Sequence, residues 1–425
     1  MSSNSALNVS NSVDEISDTD SSSVADEQPP TRELTKEEEQ SEMFKGQSED
    51  DIEILNENTK SMLMQFMGQL KIGMDLTKIP IPCDFLEPRS LLEKLTDFNT
   101  HAHLLTTAMD HDDPIQRMVN LVRWYLSGWH VKPKGVKKPY NPVLGEVFRC
   151  NYELKSDGLM TCIGEQVSHH PPKSAIYAEC KHKKLVLEGW YYPRSKFLGN
   201  SAASISEGIL KITFGSRDNE VYTATWPSVY ARGVIFGKLI MEMSGKTKIE
   251  CKKTNMLAEI EFKAKPFFGG EYNVVSAKIK HKKKTLYQIR GKWNDKLYIK
   301  GKDSDKETES LFFEVKTAEV VPKHVPPLEV QRDNESRKLW LNLTKAIKQN
   351  DVQLAAIEKD KVETTQRNQK KEREKSGEIY KPKLFKPGPE DFWTFIGFDS
   401  DEWKELQQKN LEEELLKKYS VKPQQ

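Results

Sequence analysis

A mainly β fold with α additions is what the sequence predicts: one antiparallel sheet that curls or closes, with helices before and after it. Three observations carry the prediction. From about Val143 to Lys300 the apolar spacing settles near period two across about a dozen short segments. No long helical pattern interrupts them, so the crossovers that a parallel sheet requires have no room. On both sides of this stretch the apolar spacing is helical, and no repeat of 20–50 residues points to a propeller.

Order is expected to begin near Asn56, after an acidic, Ser-rich tail over residues 1–55 whose apolar content is too low to fold. Met62, Leu63, Phe66, Met67 and Leu70 then share one helical face. An ordinary packing helix and a movable lid over an apolar cavity both fit it, since methionine adapts to irregular or mobile surfaces. Ile79-Pro-Ile-Pro82 ends that helix. Leu86–Leu95 is expected as a helix, with Pro88 near its first turn and Leu91, Leu92 and Leu95 on its apolar face. Pro114 opens a second helix, from Ile115 to about Leu126, ending at Gly128. Strands are expected at Leu144–Tyr152, Leu159–Glu165, Lys173–Glu179, Leu185–Tyr192, Gly208–Phe214 and Val221–Trp226. Further strands are expected at Ile235–Met243, Lys246–Lys252, Leu257–Lys263, Tyr272–Lys280, Leu286–Trp293 and Lys296–Lys300. Helices return at Glu335–Asn350 and Leu354–Lys375, followed by an aromatic anchor from Trp393 to Trp403 and a terminal helix over Ser400–Tyr419.

The 425 residues hold 65 basic and 64 acidic side chains, for a formal net charge of +1. That balance hides an asymmetry: residues 1–55 carry 15 carboxylates against 3 basic groups, leaving 62 basic and 49 acidic for the rest. A basic body suggests a polyanionic partner, either nucleic acid or an anionic membrane face. Its lysines bunch at Lys132, Lys134, Lys137 and Lys138, and again through Lys278–Lys284. A mean hydropathy of −0.69 describes a soluble protein, and no run of 18 uncharged apolar residues exists to span a bilayer. The N-terminus has neither a basic n-region nor an apolar h-region, so no secretory signal is expected. Five cysteines without a Cys-x-x-Cys pair suit a reduced, cytosolic compartment.

Glu165-Gln-Val-Ser-His-His-Pro-Pro172 is the most informative stretch. Each imidazole of His169 and His170 can donate to an anionic oxygen, more strongly when charged. Pro171 and Pro172 stiffen the backbone and bias His170 towards an extended conformation. A phosphate grip and a pair of histidines satisfied by carbonyls are both open. Lys138 and Asn141 lie in a turn shaped by Pro139, Pro142 and Gly145, where both can face one polar headgroup or simply be solvated. Lys359, Glu363 and Arg367 recur at i, i+4 and i+8, within about 80° of helical arc. Glu363 can hold both cations, which suits an anion site or a solvated face equally. No nucleophile elbow, zinc-protease helix or Walker loop occurs, so no catalytic residue and no cofactor are expected. Cys162, His169, His170 and Cys180 match no compact ligand spacing, so no metal is expected. Without an RNP signature or Gly-x-x-Gly loop, nucleic acid is the remote reading of the basic body.

The octapeptide resembles the fingerprint of the oxysterol-binding-protein-related family of lipid-transfer proteins. The likeness continues in Leu86–Glu93, Lys138–Glu146, Lys196–Ser201, Gly291–Asp295 and Glu335–Trp340, and covers about residues 55–405. It implies an incomplete many-stranded antiparallel β-barrel enclosing a lipid tunnel, with an N-terminal lid and a C-terminal helical subdomain. The implied divisions are a tail (1–55), a lid and its connection (56–82), N-terminal helices with the barrel (83–330) and the C-terminal subdomain (331–425). By resemblance, phosphatidylinositol 4-phosphate is held by His169 and His170, by Lys138 and Asn141, and by the Lys359, Glu363 and Arg367 set. The lid falls on Met62, Leu63, Phe66, Met67 and Leu70. Segments Gly73–Pro80, Gly128–Lys134 and Tyr230–Lys238 are similar to short fungal-type members that exchange phosphatidylserine for the phosphoinositide. Lys138, Asn141 and Ser201 would then meet the second headgroup. The resemblance implies a non-enzymatic, monomeric protein, peripheral and transient on anionic membranes at contacts between endoplasmic reticulum and plasma membrane. A sterol exchanger or sterol sensor is the alternative. No pleckstrin-homology domain or ankyrin array is expected before the lid.

Overall fold

The computed structural model describes residues 65, 68, 70–75, 82–132, 135–233, 239–266, 269–301, 309–389 and 392–398. The tail, the terminal helix expected at Ser400–Tyr419 and the lid positions Met62, Leu63, Phe66 and Met67 lie outside these residues. Gln65 and Gly68 are helical.

The first element corrects the sequence expectation. Leu86–Ser90 is a strand, β1, and the helix begins only at Leu91 (α1, Leu91–Thr96). Pro88 therefore sits in a two-stranded edge, where its missing N–H costs no ladder bond, instead of in a helical first turn. Ser90 ends the strand and caps the helix, its Oγ accepting the Leu92 N–H at 3.4 Å. A helix that spacing did not reveal follows (α2, His103–Asp110), and then the expected one (α3, Pro114–Ser127). Asp113 caps α3 through the Ile115 N–H at 2.9 Å, and Pro114 occupies its first turn. Leu121, Val122, Trp124 and Tyr125 are fully buried, so α3 is enclosed on several sides.

After β2 (Lys138–Tyr140), which pairs in parallel with β1, the chain runs through the main sheet. Its strands are β3 (Val147–Glu153), β4 (Leu159–His169), β5 (Pro172–Cys180), β6 (Leu185–Phe197), β7 (Ser201–Phe214) and β8 (Glu220–Ala224). They continue as β9 (Ser228–Arg232), β10 (Ile240–Cys251), β11 (Met256–Lys263), β12 (Val274–His281), β13 (Lys284–Lys292), β14 (Lys296–Gly301), β15 (Ser310–Glu314) and β16 (Lys323–His324). All 14 pair antiparallel, from β15 at one edge to β16 beside β3 at the other, so the barrel is incomplete. Helix α3 packs against the sheet: Tyr125 donates to the Thr225 carbonyl at 2.6 Å, and Arg117 grips Glu220 through two bonds of 2.8 Å.

Strands β8 and β9 share one position between β7 and β10. The second half of β7 pairs with β8 and its first half with β9, and β10 is divided likewise. Trp226 and Pro227 occupy the gap, and Gly208 faces it. A Cβ on Gly208, at φ +139°, would lie 2.0 Å from the Trp190 carbonyl oxygen, so only glycine fits this bend. Positions 235–238 of the segment expected at Ile235–Met243 lie outside the described residues; from Ile240 it and the segment expected at Lys246–Lys252 are one strand, β10, continuous through Gly245.

The C-terminal helices are α4 (Ser336–Leu339), α5 (Leu341–Lys348) and α6 (Val352–Ser376), with a break at Trp340 in what spacing joined as Glu335–Asn350. The short hairpin of β17 (Phe385–Pro387) and β18 (Trp393–Phe395) follows. Phe395 stacks on Tyr177 of β5 at 4.4 Å, so the described part of the aromatic anchor expected from Trp393 to Trp403 contacts the sheet, Trp403 lying outside the described residues. Among the described residues no helix is long and apolar enough to cross a membrane, no acid, thiol or imidazole cluster has metal-site geometry, and all five cysteines are buried and unpaired.

Candidate functional site

Four separate pieces of chain meet beside a cavity of about 320 Å³, at the low end of the size range of small-molecule pockets. Its walls are apolar, with Phe85, Leu91, Trp129, Leu239, Met241 and Met243 among them. Its cations come from α1 and the approach to β2: Lys94, Lys132, Lys137 and Lys138, with Asn141 next in line. Pro172, the last residue of the octapeptide, also lines it. An apolar chamber with cations supplied by two segments, α1 and the approach to β2, suits an amphiphile.

The histidines form the turn between β4 and β5. His169 pairs with Pro172, so His170 and Pro171 make a two-residue connection whose His170–Pro171 peptide is cis. The rings lie 4.5 Å apart at 69°, His170 exposed and His169 half-buried. Burial, chiefly, and then the neighbouring His170 push the His169 imidazole down to about 4, with the Pro142 carbonyl opposing and Lys370 assisting. His169 is thus neutral at pH 7. Its Nδ1 is buried and has no hydrogen-bond partner among the described residues.

Lys138 is the second centre. Burial first, then the ammonium of Lys359, bring it down to about 8, while Glu363 and Asp75 act in the opposite direction. The α6 ladder therefore does face β2. Ala355, Val362 and Gln366 turn the same side of α6 inward: Ala355 is buried, Val362 packs against the cluster around Tyr140, and Gln366 accepts the Leu144 N–H at 3.0 Å. Glu363 stands 3.5 Å from Lys359 and 4.0 Å from Arg367. Arg367 is more exposed and also pairs with Asp360 at 2.8 Å, a partner that the spacing argument did not include. Asn141 is exposed at the cavity edge. The structure thus brings Lys138, Asn141, His169, His170, Lys359 and Glu363 into one neighbourhood, with Arg367 one turn further along α6.

Other positions behave differently. Ser201 opens β7 but is not among the cavity-lining residues, whereas Ser195 and Ser204 are. Leu70 is half-buried just before a segment that hydrogen-bonds the end of β6: Gly73 donates to the Phe197 carbonyl at 2.7 Å, and Phe197 donates to Met74 at 3.0 Å. Sequence reasoning missed Lys370, which acts on His169. Eleven residues are about three helical turns, so Lys370 lies within about 20° of Lys359 on α6, and extending the ladder by one step would have found it.

Two buried carboxylates hold this geometry. Glu146 accepts from Ser90 Oγ at 2.5 Å, Ser336 Oγ at 2.7 Å, Trp340 Nε1 at 2.9 Å and the Val143 N–H at 3.1 Å. It therefore ties α1, α4 and the Asn141 turn together. Glu165 accepts from the Lys383 and Leu384 N–H groups, both at 2.8 Å, and from Tyr380 Oη at 3.1 Å. Gln166 bridges to Ser174 and Ser168 at 2.6 and 2.9 Å. The octapeptide thus divides into a structural part, Glu165 and Gln166, and the turn that carries the half-buried His169 and the exposed His170.

Comparison with known proteins places this geometry in context. A family model described as "Oxysterol-binding protein" matches residues 65–408. The chain is 40% identical over 345 residues to the oxysterol-binding protein-like protein OBPalpha of Candida albicans, covering 80% of each. Its fold is similar to the Osh1 ORD domain solved in complex with ergosterol, at a TM-score of 0.67 and 25% identity, over 84% of this chain and 90% of that one. The Osh3 ORD of Saccharomyces cerevisiae, solved in complex with PI(4)P, is similar in fold at a TM-score of 0.60 and 23% identity, over 82% of this chain and 92% of that one.

Proposed function

Because the chain belongs to the oxysterol-binding protein family, we propose that it extracts and exchanges lipids between membranes, trading phosphatidylserine for phosphatidylinositol 4-phosphate without bond chemistry. The observation that carries this reading is the unpartnered, buried Nδ1 of His169 beside His170 and within the field of Lys370. A phosphomonoester would supply an acceptor oxygen to His169 Nδ1 once that nitrogen takes up a proton. In this proposal the phosphate meets His169 and His170, Lys138 and Asn141 take the rest of the headgroup, and Lys359 and Arg367, spaced by Glu363, supply further positive charge. The acyl chains occupy the apolar cavity, and the segment around Met62–Leu70 closes over them. Exposing two acyl chains of about 30 methylene-sized units would cost on the order of 20 kcal/mol in water, which a closed apolar chamber avoids. Competition of two lipids for one chamber makes the exchange directional wherever one of them is consumed. The same reading has the protein acting where endoplasmic reticulum and plasma membrane approach each other.

A second cargo reading, sterol for phosphatidylserine, is favoured by two observations: the Osh1 ORD domain was solved with ergosterol, and the cavity walls are overwhelmingly apolar. Polar groups near Lys138 and Asn141 favour the phospholipid, because a sterol offers them only one hydroxyl. Native mass spectrometry of protein purified from eukaryotic cells, paired with transfer assays for each lipid, decides between them. Phosphatidylserine as the main bound glycerophospholipid supports the proposal, whereas dominant sterol with no phosphatidylserine transfer replaces the second cargo. Undiminished phosphoinositide extraction by a folded His169→Ala/His170→Ala variant removes the phosphate assignment.

A further inference from the structure

Four lysines line the cavity, Lys94, Lys132, Lys137 and Lys138, and no carboxylate does among the described residues. Lys138 belongs to the headgroup cluster, and Lys137 Nζ donates to the Asp84 carbonyl at 2.6 Å. Lys94 belongs to neither arrangement. It follows Leu91, another lining residue, by one turn of α1. A separate set of charges acts on it: Glu87, Arg89 and Asp97, whereas Lys359, Glu363 and Asp75 act on Lys138. The chamber thus has two cationic poles.

The second pole is one carboxylate short. Arg89 joins Glu87 to Asp97, through Nε to the first and through Nη1 to the second at 2.6 Å. Asp97 also pairs with Lys323. Two carboxylates therefore serve three cations, Arg89, Lys94 and Lys323, and none of the five side chains is more than 24% exposed. Glu93, on the same helix as Lys94, is committed to Arg337 at 2.7 Å.

Lys94 receives the weakest share of this network. Glu87 Oε2 stands 3.5 Å from its ammonium and the Val131 carbonyl 3.4 Å, both longer than the roughly 2.7–2.9 Å of a charge-assisted bond. Glu87 Oε2 itself accepts no hydrogen bond, so the pair is not closed. Burial lowers the Lys94 ammonium, with Glu87 the first to oppose. A cation removed from water without a close partner is costly, and an anion brought into the chamber relieves that cost. The shortfall is one charge, which a carboxylate matches; a phosphomonoester carries up to about two. The sheet supplies the apolar counterpart. Ala202, Ala231 and Met241 form one cross-strand row over β7, β9 and β10, and Ser204, Val229 and Met243 form the next. All six line the cavity, and five are apolar, so the wall accepts methylene groups.

We propose that the chamber binds a second class of ligand, a free long-chain carboxylate, with its carboxylate on Lys94 and its chain along the β7–β9–β10 wall. This ligand is separate from the exchanged lipids and does not depend on them. The test titrates the full chain with cis-parinaric acid, a fluorescent long-chain carboxylate, and displaces it with oleate or with oleyl alcohol, which differ only at the polar end. Oleate should displace it about tenfold or more better, the worth of one charge-assisted bond. Lys94→Met should erase that preference and leave displacement by oleyl alcohol near the wild-type level, whereas Lys94→Arg should keep the preference. Circular dichroism checks folding, and Lys94→Gln replaces Lys94→Met if the latter misfolds. Equal displacement by the two probes in wild type overturns the proposal whatever the variants do. So does a folded Lys94→Met or Lys94→Gln chain that still prefers oleate. His169→Ala/His170→Ala separates the two poles: it should keep the oleate preference even where phosphoinositide extraction falls. Loss of the preference in that folded variant would put the carboxylate on the histidines and overturn its assignment to Lys94.

Discussion

The carboxylate of Glu165 accepts the backbone N–H of Leu384 at 2.8 Å, across 219 positions of sequence. With the Lys383 N–H and Tyr380 Oη on its other oxygen, it joins the end of β4 to the strap that carries β17 and β18. The first residue of the octapeptide thus anchors chain, while its histidines form the turn, His169 half-buried and His170 exposed.

All three groups bonded to Glu165 are donors. Glu165→Gln turns an amide NH₂ towards one of them, removing at least one charge-assisted bond. A loss of about 2–3 kcal/mol is expected, read as a lower urea midpoint at unchanged slope. Faster hydrogen exchange at Leu384 would localise the damage to the strap. An unchanged midpoint would mean that the strap does not depend on this carboxylate.

Gly145 tests the other side of the same contact. Its φ is +80°, and a Cβ there would sit 2.7 Å from the Tyr380 hydroxyl. Gly145→Ala should destabilise by about 1–3 kcal/mol, from backbone strain and the clash together. In a double-mutant cycle, Tyr380→Phe removes the crowding oxygen and should recover part of that loss. Simple additivity would leave the whole effect to the backbone.

The neutral His169 predicts a proton-linked affinity. The Pro142 carbonyl lies against the ring and Nδ1 is unpartnered, so the single hydrogen of the neutral ring belongs on Nε2. Donation from Nδ1 to a phosphate then requires a second proton, taken up against the fields of His170 and Lys370 and favoured by the dianion. Phosphoinositide affinity should rise as pH falls from 8 to 6.5, above the range where the phosphate itself protonates, at about 6. His169→Asn donates without a proton, so it should retain part of the affinity and lose this pH dependence. Calorimetry in buffers of different ionisation enthalpy measures the proton uptake directly; zero uptake by wild type would contradict the tautomer assignment.

Where one local rule decided the conformation, the sequence was legible. Period-two alternation located the sheet, and Pro114 located α3. Pro88 misled because proline suits a helical first turn and an edge strand alike; the parallel pairing with β2, about 50 residues away, decides between them. Strand β9 was missed because Trp226 and Pro227 break the alternation at the bend, and β10 was divided at Gly245 for a related reason. In the site, residue types at local spacing left each motif with a bland alternative. What assembles them is long-range: Lys359 lies in the field of Lys138, and Glu146 bonds Trp340. No spacing rule carries that information. Lys370 was within reach, one step beyond the ladder already recognised.

Acid stability should depend on a second histidine pair, remote in sequence from the octapeptide. His101 Nδ1 meets the Glu319 carbonyl at 2.7 Å, and its Nε2 meets His130 Nε2 at 2.8 Å. The carbonyl accepts, so His101 carries its hydrogen on Nδ1 and receives one from His130. A proton added at His101 Nε2 would set two N–H groups against each other. Burial accordingly brings His101 down to about 4 and His130 to about 3. Depressed imidazoles bind fewer protons folded than unfolded, so stability is full above the unfolded value near 6.5 and is lost as pH falls through the window down to 4 and 3. Urea midpoints measured from pH 7 to 4 should decline along this window. Replacing both rings (His101→Leu/His130→Phe) removes the imidazole pair, leaving the Glu319 carbonyl without its donor, and should flatten the decline, with His103 and His169 supplying what remains. An equally steep decline in a folded double variant would assign the acid sensitivity elsewhere.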